Sequence, residues 1–331
     1  MNILVIGCGS VGKRHLKNLI NIGISKNKIF AIDTREDRLQ EVRNLGISNT
    51  FDSIEDVLKF NINASIVCSP TSMHIDQSIK LLDNNIHILM EKPLCNNLDE
   101  VEKLINLKNK NKLVFMMAYV FRFSPLTIKV KELLDNNEIG KILYARGEFS
   151  EYLPDWHPWE DYRDFYMAKK ELGGGSILDQ CHIMDLFHFM FGKFASVYAF
   201  NSKISDLEIQ ADDIAEMIVK FENKVIASIH TDIFGRKHKK RFEIKGDKGN
   251  IIWDFYDKNV KLYKSIDKKE IVFDDFDNDF NNCYIKELKT FLSACQRDKI
   301  EYPDLDVGID TMKLIINAEK SHTSKKLEVI A

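Results

Sequence analysis

The sequence predicts a doubly wound α/β domain followed by an α+β domain, and three observations carry that prediction. Short apolar runs alternate with amphipathic helical patterns through about residue 119, the rhythm of a parallel sheet with helices on both faces. The first run, Ile3–Ile6, meets the pattern Gly7-Cys8-Gly9-Ser10-Val11-Gly12 and then a helix. From Ser196 onward, period-two segments separated by turns take over, which reads as an antiparallel sheet. The expected domains are 1–119 and 120–331, with the last helix a candidate to pack back on the first domain.

In the first domain each element has its own signature. Ile3–Ile6 is uniformly apolar, as in a strand covered on both faces. The helix after the glycines places Val11, Leu16, Leu19 and Ile20 on an apolar side and Lys13, Arg14 and Lys17 on a polar one. A second strand, Ile29–Ile32, ends on Asp33. Helix 38–45 and strand Asn49–Phe51 follow, then a helix over 53–59. That helix opens on Ser53 with Asp56 three residues on, a capping-box-like start. Strand 64–68 ends at Ser69-Pro70-Thr71, helix 74–84 follows, and strand 86–90 ends in Glu91-Lys92-Pro93. Helix 98–109 and strand 113–118 complete the domain.

The second domain begins with helix 125–136, strand 142–149 and an aromatic loop over 152–166. A helix opens at Gly173-Gly174-Gly175 and runs through about Phe191. Segments 196–201, 213–222, 224–231, 241–245 and 250–255 alternate, with turns at Glu222-Asn223 and Gly246-Asp247-Lys248-Gly249. Helices 282–296 and 307–321 close the chain. One sheet face then needs cover from helices or from a partner subunit.

Composition narrows the function classes. With a net charge of −3 there is no electrostatic footprint for nucleic acid. The longest apolar runs are of strand length, so no membrane span is expected, and the immediate first strand leaves no room for a signal peptide. Six scattered cysteines without a C-x-x-C pair suit a reducing cytoplasm and argue against a disulfide framework or a zinc site.

The glycine turn carries the first chemistry. Gly7 serves the tight turn, Gly9 the approach of a pyrophosphate, and Gly12 close packing of helix on strand. The helix start, at Ser10 and Val11, offers free N–H groups and a positive dipole end to an anion. Asp33, 21 residues beyond Gly12, is placed to accept hydrogen bonds from a ribose diol. A dinucleotide is therefore expected. The acid disfavours a 2′-phosphate, so NAD is expected ahead of NADP, although Thr34 and Arg35 are in place for a phosphate. Arg38 joins this cofactor set.

Six motifs, taken in order, carry a family resemblance. They are the glycine turn, Ser69-Pro70-Thr71-Ser72-Met73-His74, Glu91-Lys92-Pro93, Arg122-Phe123-Ser124-Pro125, Leu172-Gly173-Gly174-Gly175 with Asp179, His182 and Asp185, and the Gly246–Gly249 hairpin. Over nearly its whole length the chain resembles the glucose–fructose oxidoreductase / inositol dehydrogenase (Gfo/Idh/MocA) family. The resemblance implies an N-terminal Rossmann domain and a C-terminal α/β domain with an open, mostly antiparallel sheet. It also implies homodimers or homotetramers built through that sheet, and hydride transfer on sugars, cyclitols or nucleotide-sugars.

Beside the resemblance, the residues define expected roles. Lys92, at a strand tip over the cofactor, would stabilise the developing alkoxide. His182 would move the hydroxyl proton, with Asp179, one helical turn earlier, orienting it. That pair stands three apart where many family members have four. Ser69, Pro70, Thr71, His74 and Glu91 complete the cofactor side. Arg122, Tyr162 and Arg163 join Lys92, Asp179 and His182 on the substrate side, with Trp156, His157 and Trp159 as further aromatic candidates.

No metal is expected. Asp185 and His188 extend the helical spacing without a fourth ligand, and the acidic stretch 274–279 lacks the glycine and glutamate of a calcium loop. Asp185 reads as a hydrogen-bonding group inside the domain and His188 as outward-facing. The basic run Gly235–Arg241 reads as a solvated hairpin end. Two rivals remain: an enzyme of the same fold that retains NAD and oxidises a sugar transiently, and a non-catalytic dinucleotide sensor.

Overall fold

The computed structural model describes residues 1–156, 158, 160–277 and 279–330. Contacts divide the chain into two compact units, residues 1–120 with 281–309, and residues 121–280 with 310–331.

In the first unit, strands β1 (Ile3–Ile6), β2 (Ile29–Ile32), β3 (Asn49–Phe51), β4 (Ala64–Val67), β5 (His87–Met90) and β6 (Phe115–Met117) alternate with helices. These are α1 (Ser10–Asn21), α2 (Glu36–Asn44), α3 (Ile54–Val57), α4 (His74–Asp83) and α5 (Val101–Asn111). Every strand pair is parallel, in the order β3-β2-β1-β4-β5-β6. Parallel neighbours need crossovers, and crossover helices cover both faces, so β1, β2 and β4 are buried along their whole length. The order reverses between β1 and β4, which makes their carboxyl ends the switch point where such sheets bind ligands. Ser53 caps α3 by accepting the Asp56 N–H, as its sequence predicts.

The second unit holds α6 (Pro125–Asp135), β7 (Ile142–Tyr152), α7 (Ser176–Asp179) and α8 (His182–Phe191). Strands β8 (Phe194–Ser202), β9 (Ile214–Phe221), β10 (Ile226–Asp232), β11 (Phe234–Gly246), β12 (Gly249–Asp254), β13 (Asn259–Lys264) and β14 (Lys269–Phe273) follow. Helices α9 (Asn281–Cys295) and α10 (Leu305–Ser324) and strand β15 (Glu328–Val329) end the chain. The sheet order is β14-β13-β12-β11-β7-β10-β9-β8-β15, antiparallel except for the parallel pair β7–β10.

Three of these strands, β13, β14 and β15, are absent from the sequence reading. The short edge strands β13 and β14 and the two-residue β15 are too brief and too mixed with charged residues to stand out. The basic run is also corrected. It lies within β11, where residues 239–241 pair with β7 and residues 235–238 fall in a register shift, and it is not a hairpin end.

Helices α6, α7 and α8 cover one face of this sheet. Its core is a stack of rings: Phe242 lies 4.9 Å from Trp253 with planes 6° apart, and Phe149 lies 6.1 Å from the same indole. At Gly147 a side chain would collide with Ile183 and Phe187 of α8, so glycine is what lets that helix lie close on the strand. The other face stays uncovered in the single chain, with Phe200 60% and Ile218 48% exposed.

Helix α9 groups with the first unit. Asn281 and Asn18 of α1 exchange amide hydrogen bonds of 3.0 and 3.1 Å, and Arg14 lies 4.6 Å from the Tyr284 ring centroid. The Pro303 carbonyl accepts the Met117 N–H at 2.7 Å, extending the β6 edge.

Arg122 and Asp185 form a buried fork in the second unit. Nε and Nη2 donate to the carboxylate at 2.7–3.0 Å, and the side chains are 11% and 1% exposed. Asp185 is thus the internal hydrogen-bonding group expected of it. His188, expected on an outer face, is instead partly buried and meets Asp310 at 3.1 Å. Arg122→Met strands a buried carboxylate and should cost about 3–5 kcal/mol of unfolding free energy, whereas Asp185→Leu/Arg122→Met together should cost less. Urea unfolding of the three proteins checks the order.

On the uncovered face His230 sits between Asp232 (2.7 Å) and Glu216 (2.6 Å), and these hydrogen bonds push its pKa from 6.5 up to about 9. A pKa raised by folding stabilises fully below the unfolded value and is lost as pH rises through the folded one. Stability should therefore fall between about pH 6.5 and 9, and His230→Gln should flatten that fall in denaturation measured across the window.

Candidate active site

The glycine turn is built as the sequence implies. Gly7 adopts a φ of +86°, and a side chain at Gly12 would collide with the Gly7 carbonyl. At Gly9, by contrast, an added Cβ would meet nothing closer than the Arg38 guanidinium at 3.9 Å. No side chain caps α1 and no acid stands in its first turn. Open space in front of an uncapped helix start, at Ser10 and Val11, fits a diphosphate.

Asp33 is 6% exposed. Its Oδ2 accepts the Cys8 N–H at 2.7 Å and its Oδ1 the Arg35 N–H at 2.9 Å, while Arg38 approaches at 3.5 Å. The long Arg38 contact is the one that a ribose hydroxyl can replace. Burial and the Asp33 charge push the Cys8 thiol up to about 12, so it stays neutral beside the turn. These residues fit a dinucleotide.

At the end of β4, Ser69 donates to Gln77 at 2.6 Å, and Pro70 leads into a short 3-10 turn at Thr71–Met73. His74 is buried, with Nδ1 2.9 Å from the Pro93 carbonyl and Nε2 2.9 Å from the Ser69 carbonyl. Burial lowers its pKa, while the two facing carbonyl oxygens, which only accept, pull the other way. The structure thus uses His74 to tie the turn after β4 to the turn after β5.

Lys92 follows β5. Its backbone N–H donates to Glu91 Oε2 at 3.2 Å, and Glu91 Oε1 meets the fully buried His15 of α1 at 3.3 Å. Lys92 is thereby braced on the helix that starts at the glycine turn. His15, Cys68 and Glu91 bring three potential ligand atoms within 4.8 Å of one another. Burial holds the Cys68 thiol well above its ordinary 9.0.

In the second unit the expected single helix is broken. Asp179 ends α7, Gln180 departs from helical geometry at φ −82° and ψ 17°, and His182 begins α8. The two side chains therefore do not share one helix face. Asp179 accepts the Tyr166 hydroxyl at 2.7 Å, and the His182 ring lies 5.0 Å from Phe121 in an edge contact.

Gln180 itself donates to Glu151 at 3.0 Å, a side chain absent from the sequence reading. Glu151 also accepts from Lys240 at 2.6 Å and from the Tyr256 hydroxyl at 2.8 Å. Their separation along the chain hides this cluster; the excess of cations in the basic run was the available signal.

Tyr162 and Arg163 stand on the surface. Arg163 forks onto Asp161 at 2.9 and 3.0 Å and reaches Glu208 at 3.2 Å, holding Asp161 down to about 2. The Tyr162 hydroxyl accepts the Glu208 N–H at 3.1 Å. Arg122 is held by Asp185. Trp156 packs with the cluster around Leu153 and Met167, while His157 and Trp159 lie outside the described residues.

Known proteins share the sequence pattern and the fold. Residues 1–119 match the model of the oxidoreductase family's NAD-binding Rossmann fold, and residues 131–329 match that of its C-terminal alpha/beta domain. The chain is 29% identical to the myo-inositol 2-dehydrogenase of Thermotoga maritima, over 88% of this chain and 87% of that protein. It is 26% identical to the scyllo-inositol 2-dehydrogenase (NAD(+)) of Bacillus subtilis, over 92% and 90%. Levoglucosan dehydrogenase, solved with NADH and levoglucosan, shares the fold with a TM-score of 0.86 at 17% identity, covering 100% of this chain and 99% of that one. With both family models matched along its length, the chain belongs to the Gfo/Idh/MocA oxidoreductase family.

Proposed function

We propose that the chain is an NAD-dependent dehydrogenase that transfers a hydride between nicotinamide and a secondary alcohol or ketone of a sugar, cyclitol or nucleotide-sugar, with NADP as its second choice of cofactor. The observation that carries this reading is the pairing of an open glycine cradle at the β1/β4 switch point with Lys92 at the end of the neighbouring β5. The relatives' activities toward inositols support the substrate class.

When bound, NAD supplies the hydride acceptor. Gly7, Gly9, Ser10, Val11 and Gly12 seat the diphosphate, Asp33 and Arg38 face the ribose, and Ser69, Pro70 and Thr71 line the nicotinamide side. Lys92, fixed through Glu91 and His15, places an ammonium where negative charge develops on the substrate oxygen. His182 takes the hydroxyl proton, and Asp179, held by Tyr166, orients substrate beside it. Tyr162 and Arg163 act at the rim. Arg122 contributes by holding Asp185, and so α8, in place.

The subunit is proposed to pair through the uncovered sheet face, where Phe200, Ile218 and Ile226 are 60, 48 and 43% exposed. A cytoplasmic location accords with six free cysteines. No helix among the described residues is long and apolar enough to cross a membrane.

Lys92→Ala and His182→Ala should each lower kcat by about 10²–10⁴-fold while NAD affinity stays within about twofold. Initial rates with NAD against a sugar and cyclitol panel, with cofactor binding read by fluorescence, test this; unchanged turnover in either variant removes that residue from the mechanism. Ile218→Asp should convert the oligomer to monomer in sedimentation velocity, and a wild-type protein that is already monomeric would refute the pairing.

A further inference from the structure

The cluster that holds Gln180 has features that a purely structural ion pair does not need. Glu151 on β7 and Lys240 on β11 are 12% and 13% exposed, so both remain reachable. Among the described residues the Lys240 ammonium has Glu151 as its one acceptor, at 2.6 Å, leaving two of its three N–H groups for something else. Glu151 Oε2 takes one hydrogen bond, from Gln180, and keeps a second acceptor position. The Tyr256 ring, whose hydroxyl donates to Glu151, is 41% exposed at the same place.

The cluster also adjoins the proposed proton-transfer residue. The Phe121 ring lies 5.0 Å from the His182 ring and 5.8 Å from Lys240 Nζ, so both groups border the same phenyl ring. Gln180, two residues before His182, is bonded directly to Glu151.

We propose that Glu151 and Lys240 form a hydroxyl-reading subsite that selects an uncharged polyol, a cyclitol or neutral sugar, over the corresponding sugar acid or sugar phosphate. A hydroxyl donates and accepts at once, and the subsite offers one ionised acceptor beside one ionised donor. An anion finds Lys240 already neutralised and meets the Glu151 carboxylate at close range. Lys240 holds the Glu151 pKa down despite its burial, so the pair is charged at neutral pH. Neighbouring cations of β11 have partners of their own: Lys239 bonds to Glu148 at 3.2 Å, His238 approaches Asp155 at 3.9 Å, and Arg236 lies over the Tyr152 ring at 3.8 Å.

The inference rests on the dehydrogenase reading and predicts a specificity reversal. Glu151→Gln keeps the shape and one accepting oxygen for Lys240 and Tyr256, puts a donating amide toward Gln180, whose own amide can turn to accept it, and leaves Lys240 seeking an anion. The experiment measures kcat/KM with NAD, and direct binding by calorimetry, for matched probes: myo-inositol against myo-inositol 1-phosphate, and D-glucose against D-glucuronate and D-glucose 6-phosphate. Wild type should favour the neutral member of each pair by at least about tenfold, and Glu151→Gln should move that ratio toward the anion by about 100-fold. Lys240→Met should weaken the neutral ligand without any gain for the anion, and thermal melts establish that both variants fold.

A wild-type preference for the anions, a ratio unmoved in Glu151→Gln, or no binding of any probe would each overturn the subsite. His182→Ala separates the two readings. Turnover retained in that variant would sink the mechanism, while the binding ratios of wild type and Glu151→Gln would still decide the subsite.

Discussion

The carboxylate of Asp33 holding the Cys8 N–H is the contact on which the nucleotide unit depends. It joins the tip of β2 to the middle of the glycine turn, so the buried acid and the anion cradle are parts of a single structure. Burial makes that charge costly unless it is hydrogen-bonded, and two backbone N–H groups meet the requirement. The proposed contact with a ribose is then a second use of a group the fold already fixes. The same economy recurs at Glu91, which receives the Lys92 backbone N–H while touching His15 of the helix that the turn begins.

Much of this unit was legible because its signals are local. Four-residue apolar strands, a glycine pattern and a Ser cap each lie within about a dozen residues, and periodicity finds such features. The second unit was less legible for physical reasons. The break between α7 and α8 depends on Gln180 turning toward a carboxylate on β7, 29 residues away. The helical spacing of Asp179 and His182 carried no trace of that pull. Similarly, the grouping of α9 with the first unit depends on Asn281 meeting Asn18, a pairing 263 residues apart.

The site residues divide along the same line. Gly7, Gly12, Asp33 and Lys92 occupy positions that strand–turn–helix geometry dictates, so spacing alone could propose them. Arg122, His74 and Arg163 were recognisable as polar groups of consequence, yet only packing assigns their partners. Arg122 grips Asp185, His74 spans two carbonyls, and Arg163 closes a surface loop on Asp161 and Glu208. The basic run shows the converse. Read as charge along a sequence it suggested solvent, whereas opposite β7 much of its charge meets carboxylates.

Gly147 gives β7 a second role. The missing side chain admits Ile183 and Phe187, so the strand sets how deep α8 lies, and His182 is the first residue of that helix. Four residues further along the same strand, Glu151 holds Gln180, two residues before it. One strand therefore fixes both the height and the starting angle of the helix that begins at His182, the proposed proton-transfer residue. Substitutions that alter reaction rate should accordingly be found in the middle of a sheet strand, at a residue with no chemistry of its own.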